Sequence, residues 1–141
     1  MKKIVSYFGF IILGTLFISC AESQTNQDSV SSSAKLEVLY FHGTYRCATC
    51  NAVENNTQQL INDYYKSQVT DGIIKFAAYN VDEEKNKAMV EKYQISFSTL
   101  LLVKGDGSVT DFTNTAFYYA HTNPERYAEL LKAEIDKQLS N

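Results

Sequence analysis

The chain has 141 residues, with 13 basic and 16 acidic side chains and a formal net charge of −3. That length holds one modest domain, and a slightly acidic balance without a basic patch excludes nucleic acid as a partner. Only three cysteines are present, so any thiol chemistry rests on a small set.

Met1-Lys2-Lys3 is a short positive start, and Ile4 to Ile18 is an almost unbroken apolar run that ends at Ser19-Cys20. This reads as a signal peptide over residues 1–19, too short and wrongly flanked for a transmembrane span. The segment resembles a bacterial lipoprotein signal, with Phe17 where Leu is common and Leu16 one step earlier. The resemblance implies that Cys20 becomes the lipidated first residue of the mature protein. It leaves Cys47 and Cys50 as one even pair. Loss of Lys2 and Lys3 would take the basic count from 13 to 11 against 16 acidic residues, a net charge near −5. Ala21 to Ala34 is mostly Ser, Gln, Asn and Thr, so residues 20–35 are expected to form a flexible, lipid-anchored tether. The folded domain is then expected over 36–141.

Leu36 to Phe41 is rich in β-formers and predicts the first strand. Cys47-Ala48-Thr49-Cys50 follows, and Asn51 to Tyr65 reads as an amphipathic helix whose stripe is Val53, Thr57, Leu60, Ile61 and Tyr64. A dithiol at a helix N-terminus sits where backbone N–H groups and the helix dipole favour a thiolate. Ile73 to Val81 predicts a second, largely buried strand. Asp82-Glu83-Glu84 predicts a helix start with acidic residues in its first turn, continuing through Ala88, Met89 and Tyr93. Thr99 to Val103 predicts a strand, Gly105-Asp106-Gly107 a turn, and Ser108 to Phe112 its hairpin partner. Phe117-Tyr118-Tyr119 is expected as a loop folded back onto the sheet. Asn123-Pro124 has the form of an N-cap and first helical residue, opening a helix with Tyr127, Leu130, Leu131, Ile135 and Leu139 on its apolar face. The order β-α-β-α-β-β-α predicts a small α/β domain with helices on both faces of a mixed sheet.

In this order of elements the chain resembles the thioredoxin-fold family over nearly all of Leu36 to Leu139. The resemblance is carried by the strand, Cys47-Ala48-Thr49-Cys50 and helix unit, by Tyr79-Asn80-Val81-Asp82-Glu83, and by Tyr93 to Val103, with Gly105-Asp106-Gly107 as the hairpin turn. It implies a thioredoxin-like three-layer fold. Departures from the family pattern are informative. Arg46 replaces the usual Trp before the first cysteine, and Ala48-Thr49 replaces Gly-Pro. Ser98 takes the place of a cis-proline, so a trans peptide is expected there. Tyr40 or Phe41 falls where the family keeps a buried carboxylate.

The resemblance implies that Cys47 is the exposed nucleophile and that Cys50, turned inward, resolves the mixed disulfide. The helix N-terminus is expected to lower the Cys47 pKa, and the adjacent Arg46 is read either as a second, cationic cause or equally as a solvated surface charge. His42 is a candidate proton donor or third ligand to a soft metal, against a plain role as a polar strand end. The backbone of Ser98 and Thr99 is expected beside the sulfurs, to pair with an extended substrate. The leading expectation is a monomeric thiol–disulfide oxidoreductase of the bacterial cell envelope, anchored to a membrane and facing the periplasm. No cofactor is expected, and its partners would be protein thiols and disulfides and a membrane or envelope redox protein. Two alternatives stand beside it: a dithiol module for a soft metal or metalloid, and a redox-silent domain with a permanent bridge.

Overall fold

A computed structural model describes residues 34–140; the predicted signal peptide, Cys20 and nearly all of the predicted tether lie outside the described residues. The strands are β1 (Leu36–His42), β2 (Ile74–Asn80), β3 (Thr99–Lys104) and β4 (Val109–Asp111). They form one sheet in the order β2-β1-β3-β4, with β1 and β2 parallel and the other pairs antiparallel. The helices are α1 (Ala48–Tyr64), α2 (Lys66–Thr70), α3 (Lys87–Lys92), α4 (Thr113–Tyr119) and α5 (Pro124–Ser140). A parallel β1–β2 pair needs a crossover, and α1 with α2 supplies it.

β1 lies at the centre and is buried on both sides, which is why it reads as a nearly continuous apolar run. Leu36, Val38 and Tyr40, with Leu100 and Leu102 of β3, pack against Val53, Leu60 and Ile61 of α1 and Tyr127, Leu131 and Ile135 of α5. Leu39, Phe41, Leu101 and Val103 line the opposite face, covered by Met89 and Val90 of α3 together with Tyr93. Helices therefore cover both faces of a mixed sheet, as expected.

Several elements differ from the sequence reading. Helix α1 begins at Ala48, so the dithiol lies in its cap and first turn. Tyr64 is 60% exposed, whereas Tyr65 is buried. The helix ends between them, and the Tyr65 ring is buried while its hydroxyl reaches α5 and donates to Asp136 Oδ1 at 2.7 Å. Strand β2 is not largely buried: it sits at the sheet edge, and of its residues only Ile74 is fully covered. Asp82-Glu83-Glu84 does not open an α-helix. A single tight turn over Glu84–Asn86 precedes α3, because Asp82 is drawn to Thr44 and the Asn86 amide donates to Asn80 O at 2.8 Å. Phe117-Tyr118-Tyr119 is helical rather than looped, forming the end of α4. Its Thr, Phe and Tyr residues have weak helix propensity, and burial of Ala116 and half-burial of Phe117 against the core override it. The predicted Asn123 cap is present, with Asn123 Oδ1 accepting from Arg126 N at 3.1 Å.

Candidate functional site

The site begins where β1 ends. Val81 N donates to His42 O at 2.8 Å, and Thr44 N donates to Asp82 Oδ2 at 2.7 Å. Asn80 Nδ2 also donates to Thr44 Oγ1 at 3.0 Å. These bonds fasten the loop 43–46 to the end of β2. They deliver the chain to the head of α1 in a fixed direction. The Thr44 N–H holds the Asp82 carboxyl below its ordinary pKa of 3.8.

Cys47 is the N-cap of α1, in an extended conformation with φ −79° and ψ 168°. Its Sγ accepts from Cys50 N at 3.1 Å, the role that a Ser or Asp oxygen plays at other helix starts. Cys47 is exposed, and Cys50 is half-buried. The Cys47 pKa is lowered from 9.0, first by the hydrogen bond from the Cys50 side chain and then by the Cys50 backbone N–H. The Cys50 thiol is raised, first by burial and then by the same hydrogen bond to Cys47. One proton is thus held on the inner sulfur while the outer sulfur is favoured as thiolate. That asymmetry is what sequential thiol exchange requires.

Arg46 is directed away from the expected role. Its Nη2 donates to Cys50 O at 3.2 Å and is ion-paired with Glu54, and its Cζ lies 5.7 Å from the centre of the Tyr40 ring. The principal lowering of Cys47 comes from Cys50 and the backbone instead. Tyr40 Oη donates to the same Cys50 carbonyl at 3.0 Å, and burial pushes the phenol up to about 12. Tyr40 and Glu54 were not singled out from sequence as members of the site. Strand alternation alone places Tyr40 on the α1 side with Val38 and Leu36. Glu54, four residues beyond Cys50, shares its helix face.

His42 Nδ1 is 3.0 Å from Gly43 O, and its ring lies 5.7 Å from that of Tyr40. It therefore sits at the strand end, bonded to the adjoining backbone. Among the described residues no group of three or more His, Cys, Asp or Glu side chains is arranged to hold a metal ion. Thr99 pairs with Phe41 in the antiparallel register, so β3 starts at the sheet end where β1 hands over to the dithiol loop. Thr99 is buried, and its Oγ1 donates to Phe97 O at 2.8 Å. Ser98 is half-buried, and every described peptide bond is trans, including the one before it. Tyr45 and Phe97, on the two loops at this end, are 97% and 67% exposed.

No protein-family model matches the sequence, and no curated protein matches it. Solved structures do share its fold. The zinc-bound form of human ERp44 is similar over 82% of this chain and 30% of its own, with 17% identity and a TM-score of 0.56. The J-Trx1 fragment of ERdj5 is similar over 81% of this chain and 48% of its own, with 16% identity and a TM-score of 0.53. Oxidised thioredoxin from Plasmodium falciparum is similar over 79% of this chain and 92% of its own, with 20% identity and a TM-score of 0.50. The chain thus spans less than half the length of the first two. At these identities the likeness is one of fold. The protein has a thioredoxin-like α/β fold with a Cys-x-x-Cys pair at the head of its first helix.

Proposed function

We propose that this chain is a thiol–disulfide oxidoreductase of the bacterial cell envelope, tethered to a membrane by a lipid on Cys20. The observation that carries the exchange reading is the exposed Cys47 sulfur, capping α1 and hydrogen-bonded by Cys50. The Cys47 thiolate attacks one sulfur of a client disulfide, forming a mixed disulfide and releasing the other client sulfur as thiolate. Cys50 then attacks Cys47, closing the Cys47–Cys50 bridge and freeing the client's second sulfur. A membrane or envelope redox partner returns the pair to its starting state. The opposite net flow uses the same steps in reverse. Ser98 and Thr99, at the same sheet end, offer backbone to an extended client segment. His42 supports the loop from the strand end. The envelope location rests on the signal-like start and on Cys20.

The test is expression of the full chain in a bacterium with Cys50→Ser. Mixed disulfides with envelope proteins should accumulate in the membrane fraction and disappear when Cys47→Ser is added. Radiolabelled palmitate should enter the wild-type chain and be absent after Cys20→Ser. A Cys50→Ser chain that traps nothing would sink the exchange reading, and unlabelled wild type would sink the lipid anchor.

A further inference from the structure

Strand β2 closes one side of the sheet, and its backbone is half used. Ile73 O accepts from Leu36 N at 3.0 Å, and Val81 N donates to His42 O at 2.8 Å. Backbone groups alternate in direction along a strand, so the odd-numbered residues of β2 face β1 and Ile74, Phe76, Ala78 and Asn80 face away. The Asn86 side-chain amide donates to Asn80 O at 2.8 Å. Among the described residues nothing bonds to the outward N–H and C=O groups of Phe76 and Ala78.

Sheet edges are ordinarily kept short, charged or broken by proline, because free backbone groups template pairing with another chain. Strand β4, at the other edge, has three residues and ends in Asp111. Strand β2 has seven, with no proline and Lys75 as its one charge. It is apolar on both faces. Phe76 packs partly into the α1-side core, and Ala77 and Tyr79 partly into the opposite one, while Ala78 is exposed. One added strand would cover the open parts of all four and take up the free backbone groups.

We propose that two copies of this chain join edge to edge through β2, antiparallel, with Phe76 opposite Ala78 of the second copy. In that register β2 is complementary to itself. Phe76 and Ala78 exchange both backbone hydrogen bonds with the second copy, on each side of the two-fold axis. A large side chain meets a small one on the α1 face. On the other face Ala77 meets Ala77 of the second copy at the axis, and Lys75 stands opposite Tyr79. An ammonium is attracted to an aromatic ring face. Burial, then the Glu37 carboxylate, pushes the Tyr79 phenol up, so the incoming ammonium also enters a negative field. Moving to the next hydrogen-bonded register in either direction parts Lys75 from Tyr79. Because β1 runs parallel to β2 and leads into the dithiol, the two dithiols open at opposite ends of one continuous sheet. The dimer replaces the monomer expected from sequence, and it does not rest on the exchange reading.

The test uses the full chain carrying Cys20→Ser, Cys47→Ser and Cys50→Ser, so that one introduced cysteine is the only thiol. Ala77→Cys faces its own copy across the axis, at a non-hydrogen-bonded position where Cα atoms lie about 4.5 Å apart. That separation suits a disulfide. Lys75→Cys lies roughly 14 Å from its own copy, too far for one. After copper-catalysed oxidation, Ala77→Cys should give covalent dimer on a non-reducing gel, on the order of tenfold more than Lys75→Cys. Lys75→Cys combined with Tyr79→Cys should cross-link again. Adding Ala78→Pro to Ala77→Cys should abolish the dimer while thermal melts stay cooperative, since proline is tolerated where the N–H faces outward from an edge strand. If Ala78→Pro fails to fold, the comparison of Ala77→Cys with Lys75→Cys still decides. Ala77→Cys that stays monomeric overturns the proposal, as happens if residues 1–33 cover the edge instead. Cross-linking equal to that of Lys75→Cys overturns it too, and so does capture of a different protein in place of the second copy.

Discussion

Replacing Tyr40 with Phe isolates one hydroxyl at the join between the central strand and the dithiol. The ring is fully buried among Val38, Val53 and Leu100, and Phe preserves its volume. What disappears is the Oη donation to Cys50 O at 3.0 Å. Arg46 Nη2 reaches the same oxygen at 3.2 Å, so that carbonyl keeps a side-chain donor. The loss is then the net worth of one hydrogen bond, about 1 kcal/mol, without the larger penalty of a stranded buried group. Unfolding entropy over roughly a hundred residues is about 0.2 kcal/mol/K, so Tm should fall by about 5 °C. Urea unfolding of the reduced full chain should show a lower midpoint with an unchanged slope. Tyr40→Ala, which also empties the ring site, should cost about 3–5 kcal/mol. A Tyr40→Phe chain as stable as the wild type would refute the hydroxyl–carbonyl link. A loss near that of Tyr40→Ala would show that the ring itself does not stay in place.

Alkylation of Cys47 by iodoacetamide should reach half its limiting rate at a pH below the ordinary thiol value of 9.0, since Cys50 hydrogen bonds stabilise the thiolate. Cys50→Ala removes the largest of these, so the alkylation midpoint should move up; an unmoved midpoint would contradict the assignment. Asp82 has its pKa lowered by the Thr44 N–H, so the stability it contributes is present above its unfolded value of 3.8 and is lost as pH falls through the folded value. Thermal melts of Asp82→Asn should therefore lie below wild type near neutral pH and converge with it in acid, and a constant gap would refute the linkage. Leu102 is 1% exposed at the centre of β3, and Leu102→Ala should destabilise by about 2–5 kcal/mol in urea titrations.

The fold was largely legible because its strongest signals are local. The apolar run of β1, the Asn123-Pro124 cap and the turn around Gly107, whose φ is +86°, each have a direct chemical meaning in sequence. Where the reading failed, tertiary context decided. The position of β2 at the edge depends on strand order, which no local pattern carries. Helix α4 forms from weak helix formers because its Ala116 fits the core. Tyr64 closes α1 on its exposed side, whereas Tyr65, just past the helix end, is buried and held by the Asp136 carboxylate of α5, a contact that helical spacing does not carry. At the site, the dithiol and its place at a helix start were visible at once. The convergence of Tyr40 and Arg46 on one carbonyl was not, because residues on a strand and a loop meet only after folding. Arg46 looked like a partner for Cys47 by adjacency, yet Glu54 and the Tyr40 ring draw its guanidinium toward Cys50.

The reduction potential of the Cys47–Cys50 pair, measured in the full chain by equilibration against glutathione without metal, tests the central claim most directly. A reversible two-electron couple between about −120 and −270 mV is the predicted result, its position fixing the net direction of exchange. A bridge that persists below about −300 mV would make the pair a structural disulfide. A pair that never closes would contradict the exchange mechanism outright.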